Sequence, residues 1–245
     1  MIYTKYDASG NDFVIFHTDE NKDYSALALE LCSKENFDVD GLIAIIPHET
    51  LDFQWLFYNN DGSTASMCGN GTRAVAHYAY NNKLASKNMT FLTGAGEISC
   101  SVEDNIVETQ MTKPIELKAP FKKDGFDCWV IDTGVPHVVI LTDDLDKFTL
   151  EICAKFRKTY NANVNFVQIC EDSLRVRTFE RGVEGETKAC GTGMVACFLR
   201  VLNLNLIPNN IKVFPKSGEE LNIRKENDIL YFKGAVKEIY KKEFN

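Results

Sequence analysis

The feature that most constrains this chain is an internal repeat. "CGNGTRAVA" begins at Cys68 and "CGTGMVACF" at Cys190, 122 residues on, which is half of the 245-residue chain. "SGNDFVIF" from Ser9 parallels "TGVPHVVI" from Thr133, 124 residues on, and "DGLIAI" from Asp40 parallels "VNFVQI" from Val164 at the same spacing. Each match is short, but the common order and near-constant offset point to two similar domains related by a pseudo-two-fold axis. A chain of this length can bury a core in each half. The Pro- and Lys-rich stretch "TKPIELKAPFKKDG" (112–125) reads as the linker between them.

Most of the chain reads as short β-branched or aromatic strands bounded by Gly, Asp, Asn or Pro, with helices expected over 24–33, 71–81, 150–156 and 192–202. Two of these helices, "TRAVAHYAY" and "TGMVACFLRVL", are apolar on nearly every face. Such a helix is buried on all sides, so each half is expected to be a curved sheet around a central helical rod.

Both repeated cysteines stand at the start of such a helix. There the unpaired N–H groups and the helix dipole favour negative charge, and the glycine after the thiol admits a ligand close to the backbone. The constellation can lower a thiol pKa from roughly 8.5 toward neutrality, and it can hold a carboxylate. If the halves face each other, Cys68 and Cys190 confront one another across the cleft. Two thiols around one bound carboxylate suit a two-base reaction at the adjacent carbon: one thiolate removes the proton and the other thiol delivers one to the opposite face. The helix-start N–H groups would stabilise the developing negative charge. No lysine sits in a pyridoxal-phosphate context and no Gly-rich nucleotide loop follows a strand, so the chemistry as read requires no cofactor.

The formal net charge of −8 and the lack of a basic patch argue against nucleic acid as a partner. The short Lys runs "KAPFKK" and "KEIYKK" read as solvated surface. No 18-residue apolar stretch and no signal-peptide pattern occur, so no membrane association is expected and a cytoplasmic location is. The eight cysteines are scattered, without a CxxC or CxxxC pair, which leaves a zinc site without its usual spacing.

Three segments, "GNDFV" (10–14), "NNDGSTASMCGNGTR" (59–73) and "ERGVEGETKACGTG" (180–193), closely resemble the diaminopimelate epimerase family, and the likeness extends over nearly the whole chain. The resemblance implies an α+β fold of two pseudo-symmetric domains, each a curved, mainly antiparallel sheet around a buried helix. One domain would comprise residues 1–115 with 235–245 and carry Cys68; the other would comprise 116–234 and carry Cys190. It implies a cofactor-independent epimerase interconverting LL- and meso-diaminopimelate in lysine and peptidoglycan-precursor synthesis, acting as a homodimer. It places the two catalytic thiols at Cys68 and Cys190, with His137 beside the first and Glu180 beside the second. Asn11, Asn59, Asn163 and Arg181 would grip the substrate. Gly69, Asn70, Gly71, Gly191 and Thr192 would hold the reacting carboxylate, and Glu180 could receive the α-ammonium. Arg181 would pair with the distant carboxylate.

Two departures from the family pattern stand out. Val135 replaces a substrate-binding Asn in "GVPH", and Asp38 replaces a glycine in "NFDVDG". Val135 keeps open a two-cysteine racemase for another amino acid. A phenazine-biosynthesis-like isomerase on the same fold would lack the thiol pair. A non-enzymatic redox or amino-acid-binding protein is the remaining alternative.

Overall fold

The computed structural model describes residues 1–243, so the last two residues of the expected 235–245 tail lie outside the described residues. The chain divides into two compact units: residues 1–110 with the C-terminal residues from 234, and residues 111–233.

In the first unit β1 (Ile2–Ala8) pairs antiparallel with β2 (Asn11–His17), and α1 (Ser25–Leu31) leads to β3 (Gly41–Ile46), which runs parallel to β2. Then β4 (Phe53–Asn59) pairs antiparallel with β3, and α2 (Gly69–Asn81) leads to β5 (Asn88–Thr93), parallel to β4. The strands β6 (Gly96–Glu103) and β7 (Ile106–Gln110) continue as an antiparallel meander.

The second unit repeats this connectivity step for step. β8 (Ile115–Lys123) and β9 (Phe126–Asp132) are antiparallel, and so are β9 and β10 (Pro136–Leu141). α3 (Leu150–Tyr160) leads to β11 (Asn163–Ile169), parallel to β10 and antiparallel to β12 (Ser173–Glu180). A short β13 (Gly185–Thr187) folds back on β12 before α4 (Gly191–Asn203). β14 (Asn210–Phe214) then runs parallel to β12, and β15 (Leu221–Glu226) and β16 (Ile229–Ala235) complete the meander. In the first unit, β17 (Lys237–Glu243) supplies the antiparallel neighbour of β1.

Helix–strand alternation places both faces of the parallel pairs under cover. In β2 and β3 the side chains Phe13, Ile15, Ile43 and Ile45 join the cluster around α2, while Val14, Phe16, Leu42 and Ala44 join the one beneath α1. Near-continuous apolar runs are what strands buried on both faces require. In the second unit Val138, Ile140, Val164 and Phe166 pack with α3 residues Cys153 and Phe156. Every residue of α2 from Gly69 to Ala79, and of α4 from Gly191 to Val201, is buried.

Two expectations need correction. The passage between the units falls at Gln110–Met111, at the head of the stretch read as the linker, but the body of that stretch is structured: Ile115–Lys123 is a strand hydrogen-bonded to β9, with register shifts around Lys118. Its Lys and Pro residues are those of an exposed, irregular strand. The repeat also shifts by two residues. The ladders pair Gly41 with Phe13 and Asn163 with His137, so Asn163 matches Gly41 and Val164 matches Leu42, not Asp40, at the same 122-residue offset as the cysteines. The length difference falls in the connections bearing α1 and α3.

Candidate active site

In the first unit Cys68 is the residue before α2, in extended conformation (φ −146°, ψ 113°), and its Sγ accepts the Gly71 N–H at 3.3 Å. A cap is normally an oxygen of Ser, Thr, Asp or Asn; a half-buried sulfur takes that place here. The thiol lies 3.8 Å from Asn11 Oδ1. Asn11 is itself held by its Nδ2 donating to Asp40 Oδ2 at 2.6 Å, and the same oxygen accepts the Asp12 N–H at 2.9 Å. Gly69, Asn70 and Gly71 form the buried first turn. Beneath it the buried Arg73 guanidinium donates to Ser9 Oγ at 2.6 Å and Asn70 Oδ1 at 3.0 Å. Asn59, at the end of β4, donates to Ser63 Oγ at 2.9 Å, and Asp61 accepts from that hydroxyl.

In the second unit Cys190 holds the matching place before α4 (φ −131°, ψ 106°). Gly191 and Thr192 open the helix, and Thr192 Oγ1 lies 3.6 Å from the Cys190 Sγ. Glu180, at the end of β12, is hydrogen-bonded to the thiol, and its Oε1 accepts from Thr187 Oγ1 at 2.7 Å. Burial and the Glu180 carboxylate push the thiol well above its ordinary pKa, while Thr192 and the Gly193 N–H pull it down. Charge and desolvation both disfavour a resting thiolate there.

His137 is buried. Its Nε2 lies 2.9 Å from Thr192 Oγ1 and its Nδ1 2.9 Å from Asn165 Nδ2. Burial holds the imidazole at about 3, with the Arg181 charge adding to the depression, so the ring is neutral. Within its unit the structure thus brings His137 to the Cys190 helix through Thr192. Asn163, beside it on β11, uses Oδ1 to accept the Arg181 N–H at 2.8 Å. The exposed Arg181 side chain donates from Nη1 to the Asn161 carbonyl at 2.8 Å, with Asn161 in the left-handed region (φ 49°). Asp38 also adopts a left-handed φ of 49°, so the aspartate keeps the conformation that a glycine would favour.

Sequence reasoning missed Asp40, Arg73, Asn165 and Thr178. Asn165 was detectable as a polar residue within the apolar run "VNFV", and Arg73 as a charge within an otherwise apolar helix. Among the described residues no helix is long and apolar enough to cross a membrane.

The sequence profile of the family described as diaminopimelate epimerase matches residues 3–117 and 129–239. A protein of Nitratiruptor named diaminopimelate epimerase is 53% identical over 242 residues, covering 98% of this chain and 97% of its own. Among solved structures, a probable proline racemase from Agrobacterium radiobacter aligns with a TM-score of 0.77 at 12% identity, over 100% of this chain and 92% of its own. A putative phenazine biosynthesis protein from Clostridium difficile aligns with a TM-score of 0.75 at 13% identity, over 100% of this chain and 99% of its own. At such identity these two likenesses concern the fold alone.

Proposed function

This chain belongs to the diaminopimelate epimerase family, and from that premise we infer that it interconverts LL- and meso-diaminopimelate by cofactor-independent inversion at the α-carbon, a step of lysine and peptidoglycan-precursor synthesis. The observation that carries the mechanism is the pair of thiols at matched helix starts, Cys68 before α2 and Cys190 before α4.

The two thiols act as the two bases, one on each face of the α-carbon. At the first helix start the N3 amide, of Gly71, donates to the sulfur, and at the second the start of α4 and the Thr192 hydroxyl, 3.6 Å from the sulfur, lie beside it; both settings favour negative charge on the thiol. The first-turn groups of Gly69, Asn70, Gly71, Gly191 and Thr192 receive the reacting carboxylate and the charge that develops as the proton leaves. Asn11, fixed by Asp40, and Asn59 are polar contacts for substrate in the first unit. Asn163 and Arg181 are those of the second, with Arg181 addressing the distal carboxylate.

Glu180 relays the proton of Cys190, a role that its hydrogen bond to the thiol supports. It can also receive the α-ammonium. The assistance of His137 to Cys68 comes from the family likeness; its observed partners, Thr192 and Asn165, favour a part in the second thiol's surroundings as well. By the same likeness the active enzyme is a homodimer, and the reading of a cytoplasmic location accords with a biosynthetic role.

The test is solvent deuterium exchange at the α-carbon, run on LL- and meso-diaminopimelate beside a panel of other amino acids. Exchange and inversion with diaminopimelate alone are expected. Exchange with another amino acid and none with diaminopimelate would establish a different two-cysteine racemase, the reading that Val135 leaves open. Cys68→Ala and Cys190→Ala are each expected to lower epimerisation by at least a hundredfold, the usual weight of general acid–base catalysis. Turnover retained in Cys190→Ala would rule out the two-base scheme.

A further inference from the structure

The repeat makes the two units comparable residue by residue, and one site breaks the likeness. In the first unit the ladders pair Phe13 with Gly41 and Ile43 with Phe57. In the second they pair His137 with Asn163 and Asn165 with Thr178. His137, Asn165 and Thr178 therefore occupy the places of Phe13, Ile43 and Phe57. Those three belong to one buried apolar cluster. The second unit has replaced an apolar core by a buried polar chain, which adds nothing to stability over well-packed hydrophobes and is costly wherever a member lacks a partner.

Here every link has a direction. Asn165 has its amide nitrogen 3.2 Å from the Val138 carbonyl oxygen, which can only accept. The amide oxygen must then be the atom that accepts the Thr178 hydroxyl at 2.9 Å. This leaves Nδ2 donating to His137 Nδ1 at 2.9 Å. A neutral imidazole that accepts at Nδ1 carries its proton on Nε2. Nε2–H in turn donates to Thr192 Oγ1 at 2.9 Å. The Thr192 hydroxyl proton is thereby turned away from the ring, and Cys190 Sγ lies 3.6 Å from the same oxygen.

The packing agrees. A Cβ added at Gly193 would lie 2.2 Å from Asn165 Oδ1 and 3.3 Å from His137 Cε1, whereas one at Gly71 would meet Ile43 Cδ1 at 3.5 Å. The polar pair is pressed against the start of the thiol's helix more tightly than its apolar counterpart.

We propose that Asn165 is a positioning residue for Cys190: it fixes the His137 proton on Nε2, so that the Thr192 hydroxyl is left to donate to the sulfur when that sulfur is a thiolate. The proposal rests on the assignment of Cys190 as an acid–base group. Glu180, on β12, faces the same thiol and disfavours its charge, and Arg181 disfavours charge on His137. The donor chain from β10, β11 and α4 opposes the Glu180 effect, keeping the thiolate accessible in turnover.

The first experiment is nitrogen-15 NMR of the imidazoles in the wild-type protein. His137 is expected to show a protonated Nε2 and a bare Nδ1 through the neutral pH range. A protonated Nδ1 would overturn the proposal. The second is the Asn165→Asp variant, whose carboxylate can only accept and so draws the proton to Nδ1. Thr192 must then donate to Nε2, and the thiolate loses its donor. The pH midpoint for alkylation of Cys190 by iodoacetamide, followed peptide by peptide with mass spectrometry, should rise by about one unit, on the order of tenfold slower reaction at a given pH below it. An unchanged midpoint in a folded variant would overturn the proposal, because a packing residue would alter stability and leave the midpoint in place. Should the variant not fold, the wild-type tautomer decides. Both readouts are taken without substrate, so a failure of the epimerase reading and a failure of this one are distinguishable.

Discussion

Gly71 and Gly193 hold the third position of their helices, yet only one of them is forced to be glycine by its neighbours. A methyl group at Gly193 would stand 2.2 Å from an oxygen of Asn165, whose amide is pinned by His137, Val138 and Thr178. At Gly71 the nearest atoms, on Cys68 and Trp55, stand off at 3.4 Å. Gly193→Ala is therefore expected to destabilise the protein by about 1–3 kcal/mol, the range for overpacking a core. Gly71→Ala should be neutral or stabilising by up to about 1 kcal/mol, since alanine is the better helix former. Urea unfolding of both variants checks the contrast, and the reverse ranking would contradict it. The "CGxG" motif announced both glycines, but which one touches a side chain across the unit was not legible in it. That depends on a strand twenty-odd residues away delivering Asn165 in place of Ile43.

At the level of elements, α2 and α4 occupy the same place in their units and settle their polar residues differently. In α2, Arg73 is fully buried and ties the first turn to the turn between β1 and β2, through Ser9 and through Asn70 and the Gly69 carbonyl. The matching residue of α4, 122 positions on, is the buried Val195. Arg73→Leu would leave those acceptors without a donor, so a loss on the order of 3 kcal/mol is expected. The same variant should loosen the Ser9–Asn11 turn, visible as faster amide exchange there. A loss below about 0.5 kcal/mol in the urea midpoint analysis would show that the clasp carries little. The pattern of apolar residues placed the helices within a residue or two at most ends. It failed at β8, whose Lys and Pro composition hid a strand, because an exposed strand needs ladder partners and not an apolar face.

For the whole chain, the repeat is cut unevenly. The edge strand of the second unit, β8, precedes the strand that it borders, whereas the corresponding strand of the first unit, β17, arrives from the far end of the chain to border β1. With it come the buried Val236 and the Glu238 carboxylate that accepts from Tyr6 Oη at 3.1 Å. Ending the chain after Gly234 is expected to strip hydrogen-exchange protection from β1 and lower the unfolding midpoint, while β9 to β11 stay protected. Equal loss in both sets would mean that the units unfold as one cooperative block.

The sequence by itself determined the α+β class, the two-fold repeat, the buried helices and the family, because periodicity, glycine positions and a long motif are all local in the chain. It marked both thiols for the same reason. Only the tertiary structure decided which residues surround them. Strand register sets Asn165 and Thr178 behind His137, and the same register sets Ile43 and Phe57 behind Phe13. A ladder joins residues far apart in sequence, so the polar chain leading to Cys190 becomes visible only once the strands are paired.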